Sequence, residues 1–140
     1  MAAFDWRIRV RFRHCDPAGI VFYPRYFEMA NDVVESFFDE GIGWAFHRMH
    51  GPDRLGVPMG RISARFTNPS RVGDVLDWRL AVTRVGTASA SLALAAACAG
   101  QPRLTVEGTI VLIDLDAMKS RPWPDAIRAK LSAYDEEQAS

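Results

Sequence analysis

HCDPAGIVFYPRYFEMANDVVESFFDE, residues 14–40, joins a turn-rich segment to an amphipathic helix, and the fold is read outward from that junction. From about Pro24 to Glu40, Tyr26, Ala30, Val33 and Phe37 recur at spacings of four, three and four, which is helical periodicity. Phe27, Val34 and Phe38 widen the apolar stripe, and Glu28, Asp32, Glu35 and Asp39 line the other side. Such a helix packs one broad face into a core. Pro24 suits a first helical turn, where its missing N–H costs nothing, and Gly41 and Gly43 suit the exit.

Strand patterns stand on both sides of this helix. Residues 6–13 alternate strictly, with Trp6, Ile8, Val10 and Phe12 set against Arg7, Arg9, Arg11 and Arg13, so the arginines are expected on one face. A basic row invites a phosphate-binding role, but an exposed sheet face or an inter-subunit salt-bridge surface is the favoured reading. Leu76, Trp78, Leu80 and Val82 alternate with Asp77, Arg79 and Thr83. Leu92, Leu94, Ala96 and Cys98, then Leu104, Val106, Ile110 and Leu112, repeat the pattern. Val85-Gly86-Thr87 and Ala99-Gly100-Gln101-Pro102 separate them as turns, which predicts an antiparallel meander. A weaker strand covers Gly60 to Thr67 and ends at Asn68-Pro69-Ser70, and Trp123-Pro124-Asp125 opens a short C-terminal helix. Strand, long helix and four strands make an α+β layer with the sheet covering the helix. With no repeat, linker or glycine-rich phosphate loop, residues 1–140 are expected to form a single domain.

Composition narrows the function classes. Hydrophobic residues make up 49% and charged residues 24%, as in ordinary globular domains. Lys plus Arg and Asp plus Glu both number 17, which argues against a broadly basic nucleic-acid surface, so an anionic ligand must be met locally. The two cysteines, Cys15 and Cys98, lack metal-ligand spacing and do not make a disulfide framework. No stretch approaches the ~20 apolar residues of a membrane span, and the N-terminus lacks a signal-peptide core, so a cytoplasmic location is expected.

The chemistry points to residues 14–26. A helix start presents unpaired N–H groups and a partial positive charge, which can hold the oxyanion formed when a thioester carbonyl is attacked. Gly19 lets a substrate approach the backbone closely. Asp16, a short turn away, is placed to act as nucleophile or as general base on water. Taken alone, however, an Asp before Pro is more often a turn former, and the residue pattern favours that plainer reading. His14 and Cys15 do not form a nucleophilic pair, because strand neighbours point to opposite faces. His47 and His50 are spaced like metal ligands on a helix, but no other ligand type accompanies them.

HCDPAGIVFYPRY resembles the active-site signature of the 4-hydroxybenzoyl-CoA thioesterase family: an Asp, a small-residue turn, Gly, two apolar residues, aromatics and Tyr. The match is specific over residues 11–31, and element order extends it over essentially the whole chain. The resemblance implies a hot-dog fold, a five-stranded antiparallel sheet wrapped around a central helix, paired into a homodimer or homotetramer with active sites between subunits. It implies that Asp16 is the catalytic carboxylate and that the Tyr23 N–H polarises the thioester carbonyl, with Gly19, Pro24 and Tyr26 in the same motif. It reverses the balance against the turn-former reading of Asp16. The substrate would be an acyl-CoA, and no cofactor is called for beyond the coenzyme A carried by the substrate.

A branch linked to the bacterial envelope Tol–Pal system usually has His where this chain has Tyr23, which favours a 4-hydroxybenzoyl-like aroyl-CoA. The acyl pocket is expected to draw on Met59 to Ser63 of the partner subunit, and the nucleotide phosphates on Arg84, Arg103, Lys119 and Arg121. Two alternatives stay open. One is a hot-dog enoyl-CoA hydratase, opposed by the absence of any His between Asp16 and His47. The other is an acyl-CoA-binding or envelope-associated protein without activity.

Overall fold

The computed structural model describes residues 3–135. In chain order they form β1 (Phe4–Arg9), α1 (Tyr23–Ser36), α2 (Phe46–His50), β2 (Leu55–Gly56), β3 (Met59–Phe66), β4 (Val75–Val85), β5 (Ser89–Cys98), β6 (Gln101–Val111), β7 (Ile113–Asp114), β8 (Lys119–Ser120) and α3 (Asp125–Ala133). The five longer strands make one antiparallel sheet in the order β1-β4-β5-β6-β3, and β2, β7 and β8 make a small three-stranded sheet. No helix among the described residues is long and apolar enough to cross a membrane.

The alternation read in the sequence decides which face is covered. Leu76, Trp78, Leu80 and Val82 of β4 are buried while Asp77, Arg79 and Thr83 are exposed, and β5 and β6 bury Leu92, Leu94, Ala96, Leu104, Val106 and Ile110 in the same way. Against them α1 places Tyr26, Met29, Ala30, Val33 and Val34. The helix runs on through a π-helical stretch, Phe37–Ile42, and ends at Gly43, whose φ of +80° is the left-handed conformation that favours glycine. Gly41 lies inside that last turn, where a Cβ would sit 3.0 Å from the Phe37 ring. Phe37 is fully buried, with ring centroids 5.6 Å from Phe4, 5.5 Å from Phe38 and 5.0 Å from Tyr134.

The first strand is displaced from its expected limits. Instead of residues 6–13, β1 covers Phe4–Arg9. Val10 turns its backbone to the loop before β4, donating to the Asp74 carbonyl at 2.7 Å and accepting from the Gly73 N–H at 2.9 Å. A short 3₁₀ turn, Phe12–His14, follows, and Phe12 is 86% exposed. The expected single face of four arginines is therefore corrected: Arg7 and Arg9 point outward from β1, while Arg11 and Arg13 have left the strand. Arg7 pairs with Asp77 across the strand pair at 2.9 Å.

Because Phe37 joins the helix to β1 and to the C-terminal segment, Phe37→Ala is expected to cost about 3–5 kcal/mol in stability, as large-to-small aromatic core changes do. Urea unfolding measures it, and a loss below about 1 kcal/mol would contradict this account of the core.

Candidate active site

The site is built on a turn that hangs from the start of α1. Residues 14–16 lie antiparallel to residues 20–22: the Asp16 N–H donates to the Ile20 carbonyl at 3.0 Å, Cys15 bridges Val21, and the Phe22 N–H donates to the His14 carbonyl at 2.9 Å. At the tip the Gly19 N–H reaches the Asp16 carbonyl at 2.9 Å, and Gly19 adopts a φ of +80° that a side chain would strain. Asp16 Oδ1 accepts the Ala18 N–H at 2.9 Å, so the plain turn-forming role is present. It engages one oxygen. Oδ2 of this half-exposed carboxylate makes no hydrogen bond among the described residues.

The helix start supplies the complementary group. Tyr23 is the first residue of α1, Pro24 has no N–H, and the Arg25 N–H is already donated to the Phe22 carbonyl at 2.9 Å. Val21 donates to the Ser70 carbonyl and Phe22 to His14. By elimination, the Tyr23 N–H is the donor at this end left without a backbone acceptor among the described residues, at the positive end of the helix.

Beside it lies a groove of about 320 Å³ lined by Ile20, Val21, Tyr23, Tyr26, Phe66, Thr67, Asn68 and Pro69. Phe66 stands at its centre, with ring centroids 6.4 Å from Tyr23, 5.6 Å from Tyr26 and 6.3 Å from Phe27. On the far side of Phe27 a second cavity of about 390 Å³ runs between α1 and β3, bounded by Ala30, Val34, Met59, Ile62, Leu94 and Val106 among others. A larger cavity, about 600 Å³, borders Trp6, Arg7, Trp78 and Arg79 and includes neither Asp16 nor Tyr23.

Asp16 and Gly19 thus share the turn, Tyr23, Pro24 and Tyr26 open α1, with Tyr23 and Tyr26 lining the groove, and Met59 lines the second cavity. The remaining expected residues do not join them within one chain. Ser63 borders a different cavity, with Arg61, Thr83, Ser91 and Glu107. Arg84 sits about nine residues along β4 from Val75, roughly 30 Å away. Lys119 lies in β8 of the small sheet beyond the end of β6, and Arg121, which follows that strand, is paired with Asp114 at 3.2 Å. Arg103 is 8% exposed and its guanidinium is turned inward, so its expected role as a phosphate cation is corrected. The periodicity that located the strands carried no information on which strand end meets the turn. Sequence reading also missed Phe66, although it closes an apolar strand pattern, and Arg71, whose Nη1 would lie 3.9 Å from a Cβ at Gly19.

His14 stabilises the turn from below. It is buried, and its Nδ1 accepts the Arg11 N–H at 2.7 Å, which places the neutral ring's proton on Nε2. Burial, aided by the positive charge of Arg13 and Arg25, lowers its pKa, with Glu28 and Asp32 acting in the opposite direction.

Residues 10–131 match the model of the thioesterase-like superfamily. No curated protein sequence is significantly similar to the chain. Among solved structures, a thioesterase-superfamily protein from Jannaschia sp. superposes with a TM-score of 0.89 at 24% identity, covering 96% of this chain and 94% of its own. A 1,4-dihydroxy-2-naphthoyl-CoA thioesterase from Synechocystis gives 0.85 at 20% identity, covering 93% and 96%. A gentisyl-coenzyme A thioesterase gives 0.82 at 22%, covering 89% and 99%. The fold is the hot-dog fold, with the antiparallel sheet curled around the long helix.

The lowered pKa of His14 means that the unfolded chain binds this proton more tightly than the folded one. Its stabilising effect is therefore complete above the ordinary value of 6.5 and is lost as pH falls below it. Urea midpoints are expected to drop between about pH 7 and pH 5 and to drop less in His14→Asn, whose Oδ1 can accept the Arg11 N–H without gaining a proton. Identical pH dependence in the two proteins would contradict this role.

Proposed function

The chain belongs to the thioesterase-like superfamily, and from that membership we propose that it hydrolyses an acyl-coenzyme A with Asp16 and the Tyr23 N–H as its working groups. As a thioester hydrolase it must do two things: stabilise negative charge on the carbonyl oxygen, and deliver an oxygen nucleophile to the carbonyl carbon. The observation that carries the reading is the Tyr23 N–H, which has no backbone acceptor among the described residues and starts α1 seven residues after a carboxylate that keeps one oxygen free of hydrogen bonds among them.

In this reading the thioester carbonyl accepts the Tyr23 N–H at the positive end of α1, where charge growing on oxygen is stabilised. Asp16 Oδ2 then has two available routes. It can attack the carbonyl carbon and expel coenzyme A thiolate, giving a mixed anhydride that water hydrolyses to the acid and the regenerated carboxylate. It can instead take a proton from a water that attacks directly, returning that proton to the departing thiolate. Both routes consume one water and release one acid and one thiol.

The acyl group proposed is aromatic. Tyr23, Tyr26 and Phe27 pack their rings around Phe66, with Tyr23, Tyr26 and Phe66 lining the groove and Phe27 the cavity along α1, and offset or edge-on ring contacts favour a planar aromatic guest. That two similar structures are described as thioesterases for 1,4-dihydroxy-2-naphthoyl-CoA and gentisyl-CoA supports the same choice. Arg71, beside Gly19, is proposed as a local cation for the anionic coenzyme. A homodimer is proposed through β3, an edge strand on which Met59, Ile62 and Phe66 are 38%, 43% and 46% exposed. The free thiols of Cys15 and Cys98 suit a reducing cytoplasm.

Asp16→Asn is expected to keep its fold and oligomeric state while losing at least about 100-fold in kcat, the usual worth of such a group. Thiol release from 4-hydroxybenzoyl-CoA and a panel of aliphatic acyl-CoAs measures it, and turnover within about threefold of the unaltered protein would overturn the assignment. Ile62→Asp is expected to convert a dimer into monomers in sedimentation. An unchanged dimer would move the interface elsewhere.

A further inference from the structure

We propose that Arg103 is a positioning residue of this site, holding the loop between β3 and β4 so that the turn bearing Asp16 and the start of α1 keep their register. This rests on the hydrolase reading given above. Arg103 opens the inward-facing run of β6, but its side chain does not reach solvent: it is 8% exposed, and Nη1 lies 3.0 Å from the Pro69 carbonyl, 3.0 Å from Ser70 Oγ and 2.8 Å from Asp74 Oδ2. Three acceptors from one loop converge on a single nitrogen. The backbone of Arg103 grips the same loop, since its carbonyl accepts the Thr67 N–H at 2.9 Å and the Asn68 N–H at 3.3 Å.

The loop so held touches the site twice. Thr67, Asn68 and Pro69 form one wall of the groove beside Tyr23. Ser70, fully buried, accepts the Val21 N–H at 2.9 Å, and Val21 lies between the Asp16 turn and the first residue of α1. The same loop also fixes the other approach to the turn, because Asp74 accepts the Val10 N–H through its carbonyl. A continuous path of hydrogen bonds therefore runs from the Arg103 guanidinium through Ser70 to the residue two positions before the Tyr23 N–H. The ion pair with Asp74 keeps that carboxylate ionised, its pKa being lowered first by the Arg103 hydrogen bond and then by the Arg71 N–H.

A buried ion pair serving stability alone would lower the amount of folded protein and leave the folded fraction's chemistry intact. A positioning role predicts more. In Arg103→Met, amide hydrogen exchange at Val21 should accelerate at least about tenfold and kcat should fall about tenfold or more, with KM within about twofold. Arg103→Lys should bring both back to within about threefold, because an ammonium has three donors for the three acceptors. A folded Arg103→Met protein with Val21 exchange and kcat unchanged would overturn the proposal, as would a Lys variant no better than Met. If Arg103→Met does not fold, Ser70→Ala decides: faster Val21 exchange and a lower kcat support the proposal, and unchanged values overturn it. Failure of the unaltered protein to release thiol from any acyl-CoA would sink the hydrolase reading, while the exchange arm would still test the clamp.

Discussion

The start of a helix leaves backbone N–H groups without partners, and at the start of α1 most of them are accounted for among the described residues. Pro24 removes a donor, the Arg25 N–H turns back to Phe22, and Phe22 and Val21 are tied to His14 and Ser70. What remains is the Tyr23 N–H, at the positive end of a helix fourteen residues long before its π-helical extension. A donor without a protein acceptor is left to water or to a ligand. An incoming carbonyl oxygen can be that ligand, and it gains most when it carries negative charge.

The rest of the structure holds that donor in place. The sheet needs the broad apolar face of α1 to cover Leu76, Trp78, Leu80 and Leu92, which fixes the helix along its length. Phe37, packed between Phe4 and Tyr134, anchors its far end. At the near end Tyr23 itself is 59% exposed, and position there depends on hydrogen bonds as well as on the rings packed around Phe66. The ladder from His14 to Phe22 and the loop clamped by Arg103 supply those hydrogen bonds. Hydrogen-bonded loops define direction more sharply than apolar contacts do, which suits the role proposed for this donor.

Much of the fold was legible because period and burial coincide. The stripe Tyr26, Ala30, Val33 and Phe37 and the alternation from Leu76 to Val82 are all buried where the pattern predicted. The first strand ran too long because Phe12 continues the alternation, yet its side chain faces solvent in a turn that His14 closes. The turn and the helix start were visible as a local motif, since Asp16 to Tyr26 are close in the chain. The cations were not. Which arginine meets the site depends on strand order and register, so Arg71 approaches Gly19 from about fifty residues away in sequence. Arg103, expected at the coenzyme phosphates, finds its acceptors 29 to 34 residues earlier. Long-range partners of this kind leave no spacing signal.

The roles proposed for the Asp16 carboxylate and for the cavity along α1 both depend on the Tyr23 N–H, so the decisive observation is where a thioester carbonyl binds. A crystal structure of Asp16→Asn with unhydrolysed 4-hydroxybenzoyl-CoA measures it directly. The account predicts the carbonyl oxygen within hydrogen-bond distance of the Tyr23 nitrogen, about 2.7–3.2 Å, with the acyl ring directed past Phe66 along α1. A thioester seated elsewhere, with the Tyr23 N–H donating to water, would contradict it.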